Sequence, residues 1–387
     1  MGISKRAFLR GAGVLVAGEV LARKVPAWRS SSGGPPDRKV IVTIFGGVRR
    51  KETFSAAGLQ NIPHLAHDLL PQALFYNDVR NEGTTAHFNA ISSILTGTWQ
   101  RVGDWGELSP SSPTLFEYFR KQLGVPARSA WIVASNKALT NLIGAGSSRD
   151  YGLPYGANVV FPKQLMVSAV EEAIQQGKSH DFVDREKALT DLEAMLEGNN
   201  YEGLGWTVFD AATQLDPEVR ETIRKAITEL VDANGPMSGD ELTFFVSREI
   251  MRKFAPPLLV IAFSDVEAAH FGSYSLHLAG IRNTDRLCYE LWQEVKSNQA
   301  YSGKTTVAIL PEFGRDPDGS STNGFLNHRS FDPSCRSTWM LMLGDAIGRP
   351  QVIERPIRHI DLCPTLAGLL GCLAPDAQGA GLPEFRV

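Results

Sequence analysis

Few cysteines, no surplus of positive charge and no long apolar run: each lack removes a class of function from this chain of 387 residues. Its four cysteines, Cys288, Cys335, Cys363 and Cys372, fall in roughly the last hundred residues and contain no C-x-x-C pair. Neither a zinc ribbon nor a disulfide-dense scaffold is expected, and at most one or two ordinary bridges are. Thirty-nine Lys and Arg against 42 Asp and Glu give a formal charge of -3. There is no net basic field to attract nucleic acid or anionic lipid. The apolar run nearest the amino terminus, G-A-G-V-L-V-A-G-E-V-L-A, carries Glu19 and is far short of the ~20 residues of a membrane span. What remains is a chain 43% apolar and 21% charged. That composition supports a large core and excludes a disordered, collagenous or coiled-coil protein.

Residues 4–10, S-K-R-A-F-L-R, precede that short run, and Arg23 and Lys24 follow it. A basic, apolar, basic order is expected of an export segment. It resembles a twin-arginine signal, S/T-R-R-x-F-L-K, with Lys5 where the first arginine belongs. An amphipathic first helix is the plain alternative. The following W-R-S-S-S-G-G-P-P-D-R is too rich in Ser, Gly and Pro for helix or strand. Residues 1–37 therefore read as export segment and linker, and 38–387 as the folded domain.

The run K-V-I-V-T-I-F-G-G at 39–47 is β-branched, apolar on both faces and closed by two glycines, as a central parallel strand is. Comparable runs lie at 130–135, 257–263, 305–311 and 338–344. Helical periodicity separates them, which predicts an α/β sandwich. Between about 162 and 253 the pattern changes to Glu-, Lys-, Ala- and Leu-rich helices, a helical insertion expected to cover one face of the sheet.

Open α/β sheets carry their chemistry in the loops after the strands. S-D-V-E-A-A-H places Asp265, Glu267 and His270 after one strand. E-F-G-R places Glu312 and Arg315 after the next, and G-F-L-N-H-R-S follows with His328. G-G-V-R-R-K-E brings Arg49, Arg50, Lys51 and Glu52, and G-T-T-A-H brings Thr84, Thr85 and His87.

With these residues in place, the chain resembles the alkaline phosphatase and arylsulfatase superfamily. S-I-L-T-G at 93–97 resembles the L-T-G that ends the nucleophile helix of sulfatases, and R-H-I-D-L-C-P-T-L-A-G-L-L-G at 358–371 resembles their D-x-x-P-T-L-x-x-L-x-G stretch. E-F-G-R with a later N-H resembles a twin-arginine-exported, sulfatase-like branch of unknown function. The resemblance implies an alkaline-phosphatase-like three-layer sandwich with a mostly parallel central sheet. It also implies a metal held by Asp265, His270 and His328, with Glu267 the substitute should the longer-than-usual Asp265–His270 spacing fail. Zinc suits such ligands, with manganese, iron or calcium as further choices.

For a second ion the superfamily uses a carboxylate after strand one and an Asp-His pair. This chain retains only Glu312, with Glu52 able to reach back, so a mononuclear site is expected. Nine positions before Thr96, in the superfamily's nucleophile slot, stands His87. It is a candidate acid or base, nucleophile or metal ligand, with Thr85 as an alternative hydroxyl. No Cys stands in a C-x-P-S-R context, so a formylglycine sulfatase is not implied. Arg315, with Arg49 or Arg50, would clamp an anionic ester, although a solvated charge run is the plainer reading of two of Arg49, Arg50 and Lys51. His359 and Asp361 read as core and cap of the last helix, and His64, His67, His180 and His277 have no partner pattern.

The expected function is an exported metal-dependent hydrolase or transferase acting on a small phosphate, phosphonate or sulfate ester in the periplasm or outside the cell. The alternative is a catalytically degenerate member of the same fold serving an envelope complex.

Overall fold

A computed structural model describes residues 37–103, 108–136, 143–163, 221, 238–320 and 323–385. The apolar runs become strands β1 (Lys39–Phe45), β3 (Ala130–Ala134), β5 (Leu258–Phe263), β6 (Thr305–Pro311) and β7 (Ser337–Gly344). To these the structure adds β2 (Leu74–Arg80), β4 (Asn158–Val160), β8 (Gln351–Ile353) and β9 (Ile357–Arg358). The order is β4-β3-β5-β1-β6-β7-β2-β8, with β9 beside β2. β1 is central: Val42 pairs with Val260 on one side and Ala308 on the other, both in parallel. Among the described strands only β7 runs against its neighbours, β6 and β2.

Residues of β1 alternate between two cores because successive side chains leave opposite faces of a strand. Val40, Val42 and Ile44 pack with Phe88, Phe116 and Leu366. These come from α1 (His87–Thr96), α2 (Leu115–Leu123) and a late helix at Leu362–Leu369. Ile41 and Phe45 pack with Ile250, Ile281 and Leu291, which belong to α3 (Gly239–Phe254) and α4 (Tyr274–Ser297). Each fully buried aliphatic side chain contributes about 1.5–3 kcal/mol. Burial on both faces is why these strands lack the polar alternation of an exposed sheet. The architecture is thus the expected three-layer α/β sandwich.

The expected export segment lies outside the described residues, as does most of the expected helical insertion. Its last helix, α3, packs on β3 and β5. Among the described residues no helix is long and apolar enough to cross a membrane. All four cysteines are buried and free, so the bridges allowed for above do not form.

The glycine of S-I-L-T-G ends α1: Gly97 adopts φ +71°, and its N–H donates to Ser93 O at 3.0 Å. In that left-handed region glycine carries no Cβ penalty, and a Cβ there would press on Ala377 and Cys363. His359 is buried in the core, whereas the Asp361 side chain makes no cap bond to the last helix and instead accepts from Arg358 N and Ala380 N at 2.8 Å each.

Candidate functional site

Five segments meet at the carboxyl ends of the central strands. α1 begins with His87, whose Nδ1 lies 2.5 Å from Glu312 Oε1 and whose Nε2 lies 3.4 Å from Glu267 Oε2. Glu312 directly follows β6, and its N–H donates to Phe45 O at the end of β1 (2.9 Å). Glu267 and His270 sit three residues apart on a 3₁₀ helix, Asp265–Phe271, where positions i and i+3 eclipse. Glu267 Oε2 and His270 Nε2 are 2.9 Å apart. His328 places its Nδ1 2.7 Å from the Thr85 carbonyl and its Nε2 3.0 Å from His270 Nε2. Since a carbonyl only accepts, the proton of the neutral His328 ring belongs on Nδ1, leaving the Nε2 lone pair toward the cluster. Phe313 stacks on His328 with centroids 4.4 Å apart. Ligand atoms of His87, Glu267, His270 and His328 all lie within 4.8 Å of one another.

The supports behind this group are buried. Arg315 is fully buried; it donates to Gly47 O at 2.6 Å and Phe325 O at 3.1 Å and pairs with Glu267 Oε2. Gly47 N–H donates to Glu267 Oε1 at 2.9 Å. A Cβ at Gly46 would run into that same carboxylate, so the glycine pair after β1 makes room for it.

Burial would raise the Glu267 pKa, but Arg315 and His87 outweigh it and hold the carboxyl well below its ordinary range. Burial opposes charge on His87 too, yet Glu312 and Glu267 raise its pKa well above 6.5. This reverses the neutral ring that a helix amino terminus alone would favour. His328 is held well below 6.5 by burial, then by His87 and Arg315. Two carboxylates, Glu267 and Glu312, thus face the Arg315 guanidinium and the His87 ring.

His87, His270 and His328 are therefore brought together. Asp265, expected as the metal carboxylate, is not: five residues before His270, it falls on another side of the 3₁₀ helix. It accepts from Asp240 N at 3.4 Å and Asn283 Nδ2 at 3.5 Å, and Glu267 is the carboxylate that groups with the histidines. Glu312 lies outside the ligand group, on the Nδ1 side of His87. Arg315 clamps Glu267 rather than facing a substrate. Arg49 is buried rather than solvated, bonded to Glu52 (2.9 Å) and Asp318 (2.6 Å). Glu52 is spent on Arg49 and on the Tyr274 hydroxyl (3.1 Å) instead of reaching the cluster. Thr85 is buried and contributes its carbonyl to His328, while Thr84 is exposed. His64 pairs with Asp68 (2.7 Å), His277 bonds Val266 O (2.7 Å), and His180 lies outside the described residues.

No known family model matches the sequence, and no curated protein matches it. Solved structures do. A protein in the alkaline phosphatase superfamily from Vibrio parahaemolyticus aligns with TM-score 0.54 at 12% identity, over 89% of this chain and 68% of that one. The lipoteichoic acid synthase from Listeria monocytogenes aligns with TM-score 0.53 at 12% identity, over 91% and 76%. The C-terminal periplasmic domain of EcEptC from Escherichia coli, in complex with Zn, aligns with TM-score 0.53 at 11% identity, over 94% and 91%. The chain thus has the fold of the alkaline phosphatase superfamily. Within that fold it is a form with a histidine, His87, opening the helix that ends in L-T-G, and with a Glu-x-x-His pair after β5.

Proposed function

We propose that the protein is an exported, metal-dependent hydrolase or transferase of small phosphate, phosphonate or sulfate esters. One divalent ion is held by Glu267, His270 and His328, and His87 carries a proton. The observation that supports this most is the convergence of four ligand atoms from three separate segments within 4.8 Å. Imidazoles with one carboxylate suit zinc, accommodate manganese or iron, and offer too few oxygens for calcium. Three protein ligands leave the open position that distinguishes a catalytic zinc site from a structural one. When bound, such an ion polarises a non-bridging ester oxygen and makes water or a hydroxyl acidic enough to attack.

The chain's own residues do the rest. Arg315 and the Gly47 amide fix Glu267, and the Thr85 carbonyl fixes His328. Side chains of His87 and His328 are 3% and 0% exposed, against 15% for both Glu267 and His270, so access is from the Glu267–His270 side. His87 Nε2 faces the cluster and can give its proton to a leaving oxygen or take one from an attacking group.

One observation favours a second reading. Four protein donors can also close a tetrahedral zinc site, and Arg315 is wholly engaged inside the protein, as in a degenerate member kept for assembly. His87→Asn separates the two. In the catalytic reading zinc is retained and turnover of an aryl phosphate, phosphonate or sulfate ester falls about 100- to 10,000-fold. Thr85→Val, which keeps the carbonyl, stays near wild type. If wild type cleaves no ester in the panel and His87→Asn loses its zinc, the assembly reading stands. Export rests on residues 4–10; a reporter fusion that stays cytoplasmic, unaffected by Lys5→Gln and Arg6→Gln, would remove it.

A further inference from the structure

We infer that Glu312 is a positioning residue for His87 and not a metal ligand, the two forming a buried carboxylate–imidazole dyad. The inference rests on the proton-carrying role proposed above for His87. An imidazole has two nitrogens on opposite sides of the ring. Nδ1 of His87 is taken by Glu312 Oε1 at 2.5 Å, which leaves Nε2 to face Glu267 and the ligand group. Glu312 is therefore on the far side of the ring from the cluster. Its backbone is locked to β1 through the Phe45 carbonyl, and its side chain is fully buried. His87 packs in turn against the stacked rings of Phe313 and His328, with centroids at 5.3 and 4.7 Å.

With Nδ1 donating to Glu312 Oε1, Nε2 is the nitrogen aimed at the ligand group. A proton given to a leaving oxygen would come from Nε2, its N–H bond breaking as the O–H bond forms, while the Nδ1 contact to Glu312 holds the ring in place. Burying a carboxylate is costly, and an apolar side chain of the same volume would be no worse for the fold. Orienting a ring whose other nitrogen works in the site is what such a partner does.

The test uses full-length, zinc-loaded protein with ¹⁵N-labelled histidine, the His87 signals being assigned by their loss in His87→Asn. Wild type should show Nδ1 protonated; Glu312→Gln should mix the two tautomers. Turnover in Glu312→Gln should fall about 10- to 100-fold while zinc affinity, read by chelator competition, stays within about threefold. Glu312→Asp should recover part of the loss. In a His87→Asn background Glu312→Gln should change nothing further. Glu312→Gln losing zinc affinity tenfold or more with the His87 tautomer unchanged would make Glu312 a ligand and overturn the dyad. Should wild type cleave no ester, the catalytic reading fails, and the nitrogen spectrum alone judges the pair: a bare Nδ1 in wild type overturns it. If Glu312→Gln does not fold, Glu312→Asp decides by the same spectrum, since the charge that orders the tautomer is kept.

Discussion

Asp265 and Glu267 are separated by one residue, yet they serve two buried charge clusters that resolve the same imbalance in opposite ways. Around Asp265 stand Asp240 and Lys163: two carboxyls and one ammonium. Around Glu267 stand Glu312 and Arg315: again two carboxyls and one cation. In the first cluster the remaining partners are backbone amides and neutral side chains, Asn283 and Ser238 among them. Asp240 accepts from Ser264 N (2.7 Å) and Asp265 N (3.0 Å), and burial, then the charge of Asp265, pushes its pKa up to about 8. Burial raises the Asp265 carboxyl as well, and it lowers Lys163. In the second cluster the remaining partners are imidazoles, and Glu267 stays charged. One cluster is thus a proton-holding carboxyl pair and the other a carboxylate–imidazole set. The donor types beside the carboxyls, not the charge count, decide between them.

The largest effect should come from exchanging the two acids. Glu267→Gln is expected to empty the zinc site and, by leaving Arg315 buried without its partner, to cost about 3–5 kcal/mol of stability. Asp265→Asn should keep one zinc per chain. Metal analysis and urea unfolding read both; zinc lost from Asp265→Asn and kept in Glu267→Gln would invert the comparison.

A smaller effect is expected from Lys163→Met, about 2 kcal/mol near pH 8 with zinc unchanged. The sign follows from Asp240: its folded pKa lies above its unfolded value of about 3.8. The native state therefore binds more protons, and stability falls as pH rises from about 4 to about 8. Losing the neighbouring ammonium should steepen that fall. Equal urea midpoints at pH 5 and pH 8 in the variant would count against the cluster.

The smallest effect belongs to two histidines outside both clusters. Burial holds His277 and His359 neutral, each with a pKa of about 4. Their folded values lie below the unfolded 6.5, so their contribution is complete above that and is lost as pH falls toward 4. At pH 5.5 each should cost about 1 kcal/mol relative to pH 8. His277→Phe should remove its share of that acid slope, which the slope of urea midpoints against pH would show.

Much of this was readable from the chain alone, for definite reasons. β1, β3, β5, β6 and β7 are buried on both faces, so their apolar runs are unbroken. β2 was not anticipated because its Y-N-D-V-R half carries polar residues at a sheet margin and its pairing shifts between Tyr76 and Val79. β8 and β9 are three and two residues long and show no periodicity. His270 and His328 were evident from their positions after strands, and His87 from its distance to L-T-G. The choice of Glu267 over Asp265 depends on a 3₁₀ rather than an α-helical turn, and burial of Arg49 and Arg315 depends on loops meeting from far apart. Local patterns encode neither.

The glycines after β1 also bear on how the protein could change. A superfamily-style carboxylate at Gly46 would be the obvious single step toward a second ion. It is sterically closed, because even a methyl group there would overlap the Glu267 carboxylate, and Glu267 is tied on its other side to Arg315 and to the Gly47 amide. Any lineage or designer moving this protein to two ions must shorten Glu267 and rebuild the Arg315 contact in the same stroke.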